Sequence, residues 1–180
     1  MMRFPLSDDA ELRLLAESDA EELFALIDAD RAHLRRWLPW AGAQDLEGTR
    51  EFIRLTRRQL ADDTGRTVAV VCDGAVAGVV GVEPLDWTHR STSVGYWLGE
   101  DYQGRGLMTR AVRAVVDHAV SVWELNRIEI RAAVGNARSR AIPERLGFQE
   151  EGTLREAEIV GGTALDIVVY SMLASEVAGA

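Results

Sequence analysis

The sequence predicts a mixed α/β (α+β) domain, a three-layer sandwich with helices on both faces of one sheet rather than a doubly wound parallel sheet. Two observations predict this. Between Thr67 and Leu98 the strand-like segments follow one another with no helical period between them, as in an antiparallel meander. From Ser91 onward strand and helix patterns alternate as a β-α-β-α-β tail. A third observation sets the scale: 180 residues, 47% of them hydrophobic, suit one core, so residues 1–180 are read as a single domain.

Taken in order, Glu11-Leu12-Arg13-Leu14-Leu15 alternates polar and apolar residues as a strand does. Ser18 or Asp19 stands where a helix cap belongs, ahead of Leu23, Phe24, Leu26 and Ile27 on one helical face. The segment from His33 reads as a short helix stopped by Pro39, with Trp37 and Trp40 at its end. Residues 45–62 form an amphipathic helix through Phe52, Ile53, Leu55 and Leu60. The period then changes. Residues 67–72 are a strand, Asp73-Gly74 a hairpin turn, and residues 75–82 the return strand. Residues 91–98 are the next strand, 99–104 a loop, and 107–123 a long helix with Val112, Val115, Val116 and Ala119 inward. A strand at 127–132 and a helix at 137–146 follow. Strands at 148–158 and 165–173, joined through Gly161-Gly162, close the chain.

Composition removes several functions. A net charge of −9 argues against a nucleic-acid groove, which needs a basic footprint. No run approaches the ~20 apolar residues of a membrane span. The N-terminal residues have no apolar segment of signal-peptide type, so a soluble cytoplasmic protein with no membrane partner is expected. A lone cysteine, Cys72, leaves no disulfide framework and no multi-cysteine zinc site. His33, His89 and His118 have no ligand spacing, and no metal is expected. All the basic side chains are Arg, which excludes a Lys nucleophile or Schiff base.

Two clusters carry chemistry. The first runs from Gly95 to Thr109: strand, Gly-punctuated turn, helix. Such a turn aims successive backbone N–H groups at an anion where the helix dipole favours one. Gly104 and Gly106 let main chain approach a pyrophosphate, and Arg105 and Arg110 can add charge. A Walker loop is excluded because no Lys follows, and a Rossmann fingerprint lacks its third glycine at Met108-Thr109. A glycine-rich connection with no ligand accounts for the same residues. The second cluster is residues 136–148, where Asn136 caps a helix that Gly147 closes before Phe148. Helix capping alone also explains it.

Together the clusters resemble the GNAT superfamily of acetyl-CoA-dependent N-acetyltransferases over nearly the whole chain. The family's Gln/Arg-x-x-Gly-x-Gly/Ala motif is matched by Asp101-Tyr102-Gln103-Gly104-Arg105-Gly106, and its Asn-x-x-Ala/Ser and Gly-Phe motif by Asn136, Ser139, Gly147 and Phe148. Residues 22–26, 33–40, 103–109, 139–148 and 151–158 are further similar to the ribosomal-protein-serine (RimL-like) branch. Two positions depart. Asp101 replaces the opening Gln or Arg, and Pro143 stands where many members carry a tyrosine that protonates the leaving thiolate.

The resemblance implies the GNAT acyl-CoA N-acyltransferase fold, a mixed central sheet whose parallel pair splays to admit the pantetheine arm. It implies direct transfer of acetyl from acetyl-CoA to a primary amine, most readily the α-amino group of a ribosomal protein. Alternatives are a small amine (polyamine, amino acid, aminoglycoside-like) or a non-catalytic acyl-CoA sensor. An α-amino group has a pKa near ~8, so a base is needed. Glu158 matches that base, although by pattern alone it is a solvent-facing hairpin glutamate. Ser139 matches the acid for the thiolate, although it equally suits a second helix cap. Tyr96, Trp97 and Leu98 are expected on a bulged strand, with Trp97 and Leu98 pairing with the pantetheine arm and one backbone N–H of the three receiving the oxyanion. Gln103, Gly104, Arg105, Gly106, Leu107, Met108 and Thr109 would hold pyrophosphate, and Asn136 the arm. Trp37, Leu38 and Trp40 are expected to wall the acceptor, with Trp87 a weaker candidate. The branch's usual state implies a homodimer.

Overall fold

Local chemistry builds the first five strands. A computed structural model describes residues 3–177. In it β1 (Arg3–Ser7), β2 (Ala10–Leu14), β3 (Arg66–Cys72), β4 (Ala75–Val82) and β5 (Ser91–Leu98) pair successively as antiparallel neighbours. Asp73 and Gly74 have φ of 52° and 80°, the double left-handed geometry of a type I′ hairpin turn. Six of the seven side chains of β3 are buried, so its sequence is a continuous apolar run rather than an alternation. β1 was not foreseen: it is a short edge strand containing Pro5, and no residue of it is fully buried.

Helices cover both faces. On one, α1 (Ala20–Ala29) and α3 (Leu46–Ala61) seat Leu23, Ile27 and Ile53 against Ala69, Val71, Val76 and Val79. On the other, α4 (Leu107–Ser121) and α5 (Ala137–Leu146) seat Val112, Val115, Ile142 and Leu146 on Val68, Val70, Ile128 and Ile130. Each fully buried aliphatic side chain contributes about 1.5–3 kcal/mol. Asp45 caps α3 by accepting from Gly48 N at 2.7 Å. Asp19 does not cap α1. Its carboxylate takes both guanidinium arms of Arg13 at 2.6 and 2.9 Å and the Ala16 N–H at 2.8 Å. α2 (Arg31–Leu34) also ends earlier than expected, so Trp37 and Trp40 sit in successive turns rather than on a helix.

The tail departs from chain order. β6 (Arg127–Ala133) lies parallel to β5, β7 (Gln149–Val160) forms the outer edge, and β8 (Thr163–Leu173) inserts between them; the four-residue α6 (Ala174–Val177) follows. The eight-stranded order is β1-β2-β3-β4-β5-β6-β8-β7. β5 and β6 share only three register pairs, Ser91 with Arg127 to Ser93 with Glu129. Beyond them β5 stays with β4 as far as Leu98, and β6 stays with β8 as far as Ala133. The inner edges therefore part. The bulge expected on β5 is absent from its pairing with β4; the register shift lies between β3 and β4, at Val70 and Val71.

Candidate active site

The gap between β5 and β6 is lined by main chain of known direction. In an antiparallel pair the residues of one strand turn their N–H and C=O alternately toward and away from the partner. Gly99 N donates to Ala77 O at 2.8 Å and Glu83 N to Ser93 O at 3.0 Å, so the odd-numbered residues of this strand face β4. Tyr96 and Leu98 thus present main chain to the gap, and Trp97, expected there, does not. On β6, Val134 N donates to Asp166 O at 2.9 Å, so even-numbered residues face β8, and Arg131 and Ala133 face the gap.

The loop at the C-terminal end of β5 leads into α4 through Gly104 (φ 75°) and Gly106 (φ 68°). A Cβ on Gly104 would meet nothing within 4 Å, so backbone there is approachable from outside. The first intrahelical bond is Arg110 N to Gly106 O at 3.1 Å, which leaves the N–H groups of Leu107, Met108 and Thr109 at the uncapped positive end of the helix. The side chains of Leu107 and Met108 are in the core, so only their main chain is available. Gln103 ties the loop together: its Nε2 donates to Leu98 O at 3.1 Å and lies 3.0 Å from His33 Nε2, while its Oε1 accepts from Arg138 at 2.8 Å. Arg105 reaches away from α4, toward Asp9 at 3.5 Å and Asp73 at 3.7 Å. Those two carboxylates lie with buried Cys72 in a tight group, and Arg105 offsets part of their charge.

The start of α5 carries Ser139. Asn136 caps the helix, its Oδ1 accepting from Ser139 N at 3.2 Å. Four residues after Ser139 comes Pro143, which has no N–H for the Ser139 carbonyl. The Tyr96 hydroxyl replaces that donor, bonding Ser139 O at 2.9 Å, and Ser139 Oγ lies 3.5 Å from the same oxygen. Burial pushes the Tyr96 phenol well above its ordinary pKa, so it is a permanent donor. Tyr96 therefore clamps β5 to α5 across the gap. Sequence gave no signal for this, because the missing N–H and its replacement lie 47 residues apart in the chain.

On the other face of the sheet lie the residues expected at the acceptor side. Paired residues share a face, so Ser93, Glu129 and Ser171 form one row, Arg131 and Val169 the next, Ala133, Ile167 and Leu154 another, and Leu165 with Glu158 the last. Glu158 thus shares a face with Trp97, on which the Trp40 ring packs edge-on at 6.1 Å. Trp37 lies against Gly135 and carries Arg36 over its ring at 5.8 Å. Leu38 is half-buried and packs against the core that α1 and α3 cover. Trp87 does not belong here: its indole donates to Asp63 O at 2.8 Å, beside the start of β3 and before β5.

This arrangement, a parallel pair parted above a glycine loop and a free helix N-terminus, has a counterpart in known proteins. Residues 10–149 match the family model described as an acetyltransferase (GNAT) domain. The chain belongs to the GNAT acetyltransferase family. Among relatives, the putative ribosomal N-acetyltransferase YdaF of Bacillus subtilis (strain 168) is 39% identical over 178 residues, spanning 98% of this chain and 97% of its own. The spermidine N(1)-acetyltransferase of Escherichia coli (strain K12) is 27% identical over 158 residues, spanning 88% and 82%. The solved structure of RimL, the ribosomal L7/L12 alpha-N-protein acetyltransferase in complex with coenzyme A, superposes with a TM-score of 0.92 at 26% identity, covering 96% of this chain and 98% of that one. The GNAT protein is accordingly an acyltransferase that uses acetyl-CoA, with the mixed sheet and parted parallel pair of its family. No helix among the described residues is long and apolar enough to cross a membrane.

Proposed function

We propose that this GNAT enzyme acetylates protein N-termini, with a ribosomal protein as acceptor and the cytoplasm as its setting. The observation that carries this reading is the form of the acceptor side. It is the sheet face bearing Glu158, bordered by the edge strand β7, which is exposed along its whole length but for Val160, with Leu154 of that face 43% exposed. A small amine is held by an enclosed pocket with an anionic end, whereas a peptide needs an open floor and free strand edges. The likeness to YdaF and RimL supports the same reading.

In this proposal the pyrophosphate of acetyl-CoA lies on residues 103–109, held by the main-chain N–H groups of Gly106 to Thr109. The pantetheine arm pairs with Tyr96 and Leu98 along the gap, within reach of the free amide hydrogens of Asn136. Charge that develops on the thioester oxygen is met by a main-chain N–H bordering the gap. Glu158 takes the proton of the attacking amine as the N–C bond forms. The C–S bond breaks, Ser139, fixed by Tyr96 and Asn136, passes its proton to the departing sulfur and regains one from solvent, and Glu158 releases the amine proton to solvent. A thiol pKa near ~8.5 makes protonation of the sulfur the least demanding step. Trp37 and Trp40 wall the acceptor from the side of α2. The long exposed edge of β7 is consistent with the homodimer implied by the RimL-like branch.

The test measures release of CoA thiol with Ser-, Ala- and Thr-starting peptides, with lysine peptides blocked at the α-amino group, and with spermidine. Turnover confined to free α-amino peptides is expected, falling on the order of 10²-fold or more in Glu158→Gln. Turnover of spermidine alone would assign the small-amine activity instead.

A further inference from the structure

We propose that Arg131 forms a carboxylate-binding subsite on the acceptor face, which selects N-termini bearing an acidic side chain within the first few residues. The inference rests on the N-terminal reading and adds to it the chemical class of the acceptor. Three features place it. Arg131 main chain borders the gap, one row beyond the last pair of β5 with β6, and its side chain lies on the same face as Trp97 and Glu158. The neighbouring residue across the gap is Gly95, where a Cβ would meet no atom within 4 Å. Gly95 thus leaves open space beside the Arg131 side chain.

Charge accounting on this face leaves Arg131 with capacity to spare. Its Nε donates to Glu129 Oε1 at 2.7 Å, which fixes the guanidinium plane, and its two terminal amino groups have no partner among the described residues. Its side chain is 54% exposed, against 17% for Glu129. The acidic groups nearest to Arg131 are already paired, whereas Glu158, two rows along, is exposed and has no ion-pair partner among the described residues. Glu129 Oε2 takes Arg127 at 3.1 Å, and Glu151 takes Arg127 twice, at 2.6 and 2.5 Å, and the Ser171 hydroxyl at 2.7 Å. At the rows of Glu129 and Arg131 the unspent charge is therefore positive. A guanidinium held at Nε and free at both Nη atoms suits a carboxylate and repels a polyamine.

The experiment compares Ser-Ala-Ala-Xaa peptides and their permuted forms, with Xaa as Asp, Asn or Lys at positions two to four, in wild type, Arg131→Ala, Arg131→Glu and Arg131→Lys. Expected in wild type is an Asp-over-Asn preference in kcat/KM of roughly threefold to tenfold at one position, larger against Lys. The preference collapses toward one in Arg131→Ala, survives in Arg131→Lys and reverses toward the Lys peptide in Arg131→Glu. Thermal unfolding and KM for acetyl-CoA, measured alongside, separate these changes from damage to the Arg127–Glu129 pair. Equal turnover of the Asp, Asn and Lys peptides by wild type, or a preference that persists in Arg131→Ala, overturns the subsite and leaves N-terminal acetylation standing. Failure of every free α-amino peptide overturns both.

Discussion

The two sides of the gap are made of different material. The proposed cofactor side, from Gly99 through α4 and the first turn of α5, offers main chain: glycines at positive φ, uncapped helix N–H groups and strand edges. Its side chains mostly brace one another, as Gln103 does between Leu98, His33 and Arg138. The proposed acceptor side offers side chains standing on a sheet face, Glu158, Arg131 and Trp97, with Trp40 packed on Trp97 from a turn. Main chain can recognise what is constant, a pyrophosphate and an amide-bearing arm. Side chains on an exposed face can be exchanged without disturbing the fold, which is where a family with many acceptors must vary.

The sharpest way to break this division is a pair of substitutions. Gly106→Val forces a β-branched residue to φ 68°, with its Cβ 3.2 Å from Arg110 Nη1. It is expected to raise KM for acetyl-CoA about tenfold or more while peptide selectivity persists. Glu158→Gln is expected to do the reverse, lowering kcat with acetyl-CoA binding intact, as titration calorimetry would report. Parallel effects in both variants would mean the two sides are not separable. A middling effect belongs to the clamp between them. Tyr96→Phe removes the side-chain donor to a carbonyl whose i+4 partner Pro143 has no N–H, so about 1–3 kcal/mol of unfolding free energy is lost in urea titration. A second change, Pro143→Ala in that background, restores an N–H and recovers part of the loss.

Smallest is a pH effect on the acceptor face. Arg127, and then the Ser171 hydroxyl, hold the Glu151 carboxyl down to about 2 from its ordinary 4.5. A depressed carboxylate stabilises the fold above the unfolded value and loses that contribution as pH falls through 4.5 toward 2. Glu151→Gln therefore lowers stability near neutrality, where that contribution is full, and flattens the acid limb between those limits, the two curves converging as pH falls toward 2. An unaltered acid limb would show that the pair is screened by solvent.

The division also explains what the sequence could disclose. Residues 103–109 and 136–148 were legible because glycine, cap and helix start are local signals, readable within one turn of chain. α5 was placed at Ala137–Leu146 from Asn136 and Gly147 alone. Glu158 was reachable only through family likeness, since its face depends on pairing with Leu165 and on two residues of bulge between Leu154 and Glu158. Arg131 was not singled out at all. Its alternation with Ile130 and Ala132 marks a strand, but its neighbours across the sheet are fixed by β8, 30 to 40 residues further along. Trp97 was misassigned for a related reason: periodicity tells which way a side chain points, whereas the direction of the main chain requires a partner strand.

Inserting β8 between β6 and β7 has a consequence for the order in which the enzyme comes into being. As the chain is synthesised, β1 to β5 and their helices are complete well before Thr163 is added, and a domain's early segments begin to fold as they emerge. β6 at that moment has three residue pairs with β5 on one side and no neighbour on the other. Only when Leu173 clears the ribosome can β6 gain its second edge, β7 be carried outward and the face bearing Arg131 and Glu158 come together. The nascent protein would thus acquire its grip on the donor before its capacity to act on an acceptor, and catalytic competence would be the last property its translation confers.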